Sequence, residues 1–323
     1  MSKKNPPVRI FKNLDPVIDK PEYRRLILFL LGRIYRGFTT RNKTCKILSW
    51  PEGFAKQKSW LDQNPNSNQA TWIGHSTLLV RQGSIYYLTD PMFSEMASPF
   101  SFFGPRRYCP PGMDIDALPK ISFVLISHNH YDHLDLKSVK RIYERYKPVF
   151  FVPEGLSPWF VKQGIDTAKE LPWWSDYRIG GLKVTSVPAR HFSARTLRDR
   201  NRSHWCGWVV SGARKFYYAG DTGYFAGLKD IGKKFGSIDL AALPIGSYDP
   251  QWMMKRHHLN PEEALDLFDD VGGRKFVALH WGGFDLTYEP YDEPPIRLEA
   301  EAVKRGYDKS KINILRAGAT IQW

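Results

Sequence analysis

Two periods of apolar residues run through the chain, and the change from one to the other divides it near residue 68. From Pro21 onward, Tyr23, Leu26, Ile27, Leu30, Leu31, Ile34, Tyr35 and Phe38 recur at intervals of three and four, with Gly37 near the end. That is the spacing of one helical face, and it predicts an amphipathic helix over 21–38. Arg24, Arg25, Arg33 and Arg36 take the remaining positions. A basic stripe of this kind either packs on its own domain or lies in a membrane interface. Residues 40–68 read as a linker that ends in the turn-forming run Asn64-Pro65-Asn66-Ser67-Asn68. The chain is therefore expected to consist of an N-terminal arm over 1–68 and a main domain over 69–323.

In the main domain the period becomes that of strands. Short apolar runs predict strands at 71–73, 77–81, 85–89, 121–127, 148–152, 182–187, 205–211, 215–219, 239–243, 275–279 and 312–315, with Gln82-Gly83 and Gly212 as hairpin turns. A helix is expected over 136–146 and another from Pro261. Asn260 can cap the second, Pro261 suits its first position, and Glu263 can close a capping-box-like pair. Residues 92–118 are rich in Pro, Gly, Ser and aromatics, lack either period, and read as a long ordered loop beside a site or as a lid.

Candidate chemistry sits at the ends of these strands. The run that closes at Ser127 leads into His128-Asn129-His130-Tyr131-Asp132-His133, which brings three imidazoles and a carboxylate into six residues. Neutral nitrogens and a hard oxygen delivered to one point are what a borderline metal such as zinc requires. His128 and His130 can converge on one ion, while Asp132 and His133 point to a second. A two-ion site needs further donors at other strand ends. They are present as His191, Asp221 and His280, and Asp90 follows the strand 85–89.

The pattern H-x-H-x-D-H resembles that of the metallo-β-lactamase fold superfamily. The stretches Thr71-Trp72-Ile73-Gly74-His75-Ser76-Thr77, Ala219-Gly220-Asp221-Thr222-Gly223-Tyr224 and Ala278-Leu279-His280-Trp281-Gly282 are similar, within it, to the N-acylphosphatidylethanolamine-hydrolysing phospholipase D group. The resemblance covers about residues 70 to 300. It implies an α/β (α+β in some schemes) αβ/βα four-layer sandwich holding two zinc ions. His128, His130 and His191 would hold one ion, and Asp132, His133 and His280 the other, with Asp221 bridging. Asp90 would orient a ligand imidazole through its far ring nitrogen. Ions so paired would make hydroxide available from a shared water at neutral pH and stabilise a phosphoryl oxyanion, with Asp132 in the catalytic set. His258, held by the start of the helix at Pro261, would contact phosphate or protonate the leaving oxygen, or else hydrogen-bond to that helix start. His257 is expected to face solvent. His75 is matched in the group, but the sequence supplies no role for it.

Composition narrows the partners. Lys and Arg number 47 against 33 Asp and Glu, a formal charge of +14, which favours an anionic partner such as a phospholipid surface, a nucleic acid or a phosphorylated substrate. Arg195, Arg198, Arg200 and Arg202, in the segment after His191, are candidates to hold phosphate. The chain shows little further apparatus for nucleic acid, so a phospholipid substrate at a peripheral membrane surface is the expectation. Another hydrolase activity on the same scaffold, such as a lactonase, is the alternative, and association into a homodimer is left open. Three cysteines, Cys45, Cys109 and Cys206, imply no disulfide framework and suit a reducing, cytoplasmic setting. The run 26–31 is cut short by Gly32 and Arg33, which argues against a secretory signal, and no run is long enough to span a membrane.

Overall fold

The short apolar runs of the main domain pair into two seven-stranded sheets. They are seen in a computed structural model that describes residues 9–15, 32, 67–100 and 102–323. The first half supplies β1 (Gln69–Gly74), β2 (Thr77–Gln82), β3 (Ile85–Thr89), β4 (Phe123–Leu125), α1 (Leu136–Tyr146), β5 (Val149–Val152), α2 (Ser157–Lys162) and β6 (Ala168–Glu170). The second half begins with β7 (Asp176–Ile179), β8 (Leu182–Val187), β9 (Gly207–Ser211), β10 (Lys215–Tyr218), α3 (Lys229–Phe235) and β11 (Ile238–Pro244). It continues with α4 (Gln251–Met254), α5 (Pro261–Asp270), β12 (Gly273–Leu279), α6 (Glu293–Lys304), β13 (Ile312–Asn313) and β14 (Thr320–Gln322).

The first sheet runs β14-β1-β2-β3-β4-β5-β6 and the second β13-β12-β11-β10-β9-β8-β7, so the last strand crosses back to edge the first sheet. Strands joined by tight turns are antiparallel: Gln82 pairs with Ile85 across Gly83, and Ser211 with Lys215 across Gly212. Strands β3 to β6 are parallel, as are β10 to β13. Parallel neighbours need long crossovers, which carry the helices and the loops that line the rim.

Side chains alternate across a strand, so Phe123 and Leu125 of β4 face the other sheet while Val124 and the following Ile126 face outward. The inter-sheet core takes Trp72, Leu78 and Tyr87 from one side and Val184, Trp208 and Phe216 from the other. Val139 and Ile142 of α1 and Phe160 of α2 cover the outer face of the first sheet, and Leu265, Phe268 and Leu298 of α5 and α6 cover the second. The result is the expected four-layer αβ/βα sandwich. Helix α1 starts where the Asp135 carboxylate accepts from Ser138 N at 3.2 Å. Helix α5 starts at a reciprocal capping box, with Glu263 N donating to Asn260 Oδ1 at 2.8 Å and Asn260 N to Glu263 Oε2 at 3.3 Å.

Several expectations change. The strand expected over 121–127 is confined to β4, because the chain beyond it turns its carbonyls to the second sheet. Trp208 Nε1 donates to Ile126 O at 3.0 Å and Cys206 N to Ser127 O at 2.9 Å. These bonds join the two sheets immediately before His128. Gly220 makes the close approach practicable: its φ is +61°, and a Cβ there would lie 2.6 Å from Ser127 Cβ. The helix expected over 21–38 lies outside the described residues, apart from Gly32, which is helical. Cys206 is a buried free thiol, whereas Cys109 is disulfide-bonded, which corrects the expectation of no disulfide at that position. Among the described residues no helix is long and apolar enough to cross a membrane.

Candidate metal centre

One rim of the sandwich collects the ends of strands from both sheets. His75 follows β1, Asp90 follows β3, His128 to His133 lie between β4 and α1, His191 follows β8, Asp221 follows β10 and His280 follows β12. His75, Asp90 and His280 all turn through left-handed backbone, with φ of 53°, 28° and 57°. Such a conformation costs a side-chain-bearing residue about 1 kcal/mol or more. Backbone bonds hold it in place here: Asp90 N donates to Leu125 O at 2.9 Å, and His280 N to His75 O at 3.1 Å.

The side chains converge on Asp221. Its Oδ2 lies 3.1 Å from both His133 Nε2 and His280 Nε2, 3.8 Å from His191 Nε2 and 3.9 Å from His128 Nε2. On one side, His130 Nδ1 is 2.8 Å from His128 Nε2 and 3.2 Å from His191 Nε2. On the other, Asp132 Oδ2 is 3.3 Å from His133 Nε2 and 3.5 Å from His280 Nε2. Two groups of donors thus share one carboxylate. Within each, the ligand atoms lie inside 4.8 Å of one another.

Hydrogen bonds at the far ring nitrogens decide which way the lone pairs face. His133 Nδ1 donates to Asp90 Oδ2 at 2.6 Å, and His191 Nδ1 donates to His257 O at 2.9 Å. Ser127 Oγ gives its proton to Asp90, so His128 Nδ1 donates to that hydroxyl at 2.9 Å. In its neutral form each ring is left with an unprotonated Nε2 aimed into the cluster. Buried polar atoms that make no hydrogen bond are costly, and here His133 Nε2, His280 Nε2 and Asp221 Oδ1 make none. Inward lone pairs around a shared carboxylate fit a pair of cations.

The electrostatics agree. Burial pushes His128 and His191 well below the ordinary imidazole range and His130 to about 4, so all three are neutral and able to ligate. Burial acts the same way on His133 and His280, but the carboxylates of Asp221 and Asp132 more than offset it. They raise His133 well above its usual value and His280 to about 9. This half of the cluster attracts positive charge.

His258 also reaches the site, its Nδ1 3.8 Å from Asp221 Oδ2 and its ring centroid 5.1 Å from that of His191. The start of α5 is capped by Asn260 and Glu263 instead, so the helix start does not take the His258 ring. His257 is not turned to solvent as expected. It is half-buried, and its carbonyl fixes the His191 ring. His75 acquires a place: its Nε2 lies 3.0 Å from Asp132 Oδ2, and its carbonyl accepts from both Trp72 Nε1 and His280 N. Arg195 is braced against the protein. Its guanidinium donates to Asn129 O at 2.9 Å and Leu134 O at 2.7 Å and lies over the Tyr131 ring, bracing both ends of the histidine-rich loop.

Residues 86–281 match the family described as Beta-lactamase superfamily domain. The sequence is 44% identical over 243 residues to N-acyl-phosphatidylethanolamine-hydrolyzing phospholipase D 1 of Caenorhabditis elegans, covering 71% of this chain and 68% of that one. It is 38% identical over 304 residues to the uncharacterized protein Rv0906 of Mycobacterium tuberculosis, covering 90% of this chain and 78% of that one. Among solved structures, Igni18, a metallo hydrolase from Ignicoccus hospitalis, superposes with a TM-score of 0.61 at 21% identity, covering 80% of this chain and 98% of that one. Sequence and fold agree: the chain belongs to the beta-lactamase superfamily and is a metal-dependent hydrolase of the metallo-β-lactamase fold.

Proposed function

We propose that the protein is a dizinc phosphodiesterase of the phospholipase D type, acting on N-acylphosphatidylethanolamine-like glycerophospholipids at a membrane surface. The observation that carries this reading is the convergence of two donor groups on Asp221, in a chain 44% identical to a relative named for that activity. His128, His130 and His191 would hold one ion, and Asp132, His133 and His280 the other, with Asp221 shared between them. Imidazole and carboxylate donors without thiolate suit zinc. When bound, such a pair acidifies water and neutralises charge that grows on phosphoryl oxygens.

The residues around the donors do the positioning. Asp90 keeps the proton on His133 Nδ1, and the His257 carbonyl does the same for His191, so neither ring can rotate away. His75 and Arg195 hold the carboxylate and the backbone of the histidine-rich loop in place. His258, whose ring faces Asp221 from the α5 side and which burial keeps neutral by pushing its pKa down to about 3, contacts a phosphoryl oxygen and relays a proton of the attacking water to the leaving group. In the reaction, a water oxygen bonds to phosphorus and the bond from phosphorus to the ethanolamine oxygen breaks. One water proton ends on that oxygen, giving phosphatidic acid and N-acylethanolamine.

The test compares two bonds. Zinc-loaded protein is incubated with N-acylphosphatidylethanolamine in mixed micelles and, separately, with a medium-chain lactone, and products are identified by mass spectrometry. Phosphatidic acid is expected to accumulate in the first. Intact phospholipid beside rapid lactone opening would assign the site to carboxyl ester chemistry.

A further inference from the structure

We propose that residues 95–100 and 102–107 form a lipid-inserting finger whose phenylalanine tip enters an anionic bilayer and seats the metal rim on it. The segment folds back on itself. Met96 pairs with Arg106 in antiparallel register, Ala97 N donates to Pro105 O at 2.9 Å, and Arg107 N donates to Glu95 O at 2.8 Å. Its base is fixed to the site. Arg107 bridges to Phe284, its guanidinium sits 4.6 Å from the Phe284 ring centroid, and that ring lies 5.1 Å from the ring of His75. Met92, Ala97 and Phe284 form a small core of their own beneath it.

The tip is built the opposite way. Phe100, Phe102 and Phe103 are 53%, 80% and 64% exposed. Single exposed apolar residues are ordinary, but three phenylalanines at the end of one braced finger form a patch that nothing among the described residues covers. A second apolar tip flanks the same rim. The segment after His191 is closed by Asn201 N donating to Ser193 O at 2.8 Å and by Asp199 accepting from Arg195 N and Thr196 N. It leaves Leu197 fully exposed, with Arg198, Arg200 and Arg202 exposed around it.

Exposed apolar tips, one of them beside the exposed Arg198, Arg200 and Arg202, on a chain of formal charge +14 are the composition of an interface with anionic lipid. Charge argues against a second copy as the occupant, because each chain carries a formal +14 and brings the same arginines. The inference rests on the phospholipase reading for its purpose, since a bilayer-resident substrate must be met at the bilayer surface. It does not rest on that reading for its measurement.

The test uses zinc-loaded full-length protein and vesicles of equimolar phosphatidylcholine and phosphatidylglycerol. The Phe100→Ser/Phe102→Ser/Phe103→Ser variant is expected to lower vesicle partition by about a hundredfold or more, while cleavage of a short-chain, water-soluble phosphodiester stays unchanged. In a Phe102→Trp variant, tryptophan emission is expected to be quenched by lipids brominated on the acyl chains, in excess of the quenching with the parent protein. Unchanged partition of the triple variant or no added quenching would overturn the finger. So would a dimer in sedimentation velocity that the triple variant dissolves, because the tip would then lie between copies. If vesicles bind by the finger but phospholipid survives, the phospholipase reading fails and the finger stands. If phospholipid is cleaved without any effect of the tip, only the finger fails.

Discussion

Asp221→Ala is expected to lower hydrolysis by about a thousandfold or more and to leave fewer than two metal ions per chain. The reason is geometric: among the described residues no other side chain faces both donor groups as Asp221 does, with Oδ2 at 3.1 Å from His133 Nε2 and His280 Nε2 and within 3.9 Å of His128 and His191 Nε2. A shared carboxylate also supplies negative charge between two cations, and its loss leaves their repulsion uncompensated. The Lewis-acid contribution of such a site is several kcal/mol, and about 4 kcal/mol corresponds to a thousandfold in rate. Metal content by plasma mass spectrometry and turnover, measured on the same preparation, check this. Two tightly held ions in an active Asp221→Ala protein would remove Asp221 from the site.

The second large effect is expected at Asp90, which a cluster of buried groups uses at once. Its carboxylate accepts from Ser127 N at 2.7 Å, from the Ser127 hydroxyl, from His133 Nδ1 at 2.6 Å and from the Tyr218 hydroxyl at 2.5 Å. Burial, followed by this carboxylate, raises the Tyr218 phenol well above its usual range, so it remains a donor. Asp90→Ala strands a backbone N–H, a serine hydroxyl and a phenol in the interior, and a loss of about 3–5 kcal/mol in unfolding free energy is expected. It also frees the His133 ring, for which a 10–100-fold loss of metal affinity is typical of a removed orienting partner, roughly. Asp90→Asn separates the two effects. Its amide oxygen still accepts, but its NH₂ faces donors, so it recovers part of the stability and little of the metal affinity. Denaturant unfolding and competition with a chelator read the two quantities independently.

The parts of this molecule that are legible in the sequence are those where one residue's type reports its own surroundings. Central strands such as β2, β3 and β8 read from their apolar runs because both of their faces are buried, and α5 reads from Asn260, Pro261 and Glu263 because capping is local. Edge strands read poorly, β13 excepted. Ala168–Glu170 and Thr320–Gln322 are short and half polar, and they are strands only because β5 and β1 offer them a partner. Helix α6 is hidden by Pro294 and Pro295 in its first turn, which read as loop residues until their position is known.

The same division holds at the site. His128, His130, Asp132, His133, His191, Asp221 and His280 stand out as strand-end donors, and the fold gathers them on one rim. The residues that hold them stay hidden. The bond from His75 to Asp132 spans 57 residues, and the His257 group that fixes His191 is a backbone carbonyl, which has no signature in sequence. Arg195 misleads for a related reason. In sequence it is one of four arginines in a polar loop, but in the fold its Nη1 donates to the carbonyls of Asn129 and Leu134.

The claim on which the chemistry depends is that two ions sit in this cluster. Anomalous diffraction at the zinc edge from crystals of zinc-loaded protein measures it directly. Two peaks are expected, roughly 3.5–4 Å apart, one among His128, His130 and His191, the other among Asp132, His133 and His280, with the Asp221 carboxylate between them. One peak closed by four protein ligands, or peaks away from Asp221, would contradict it.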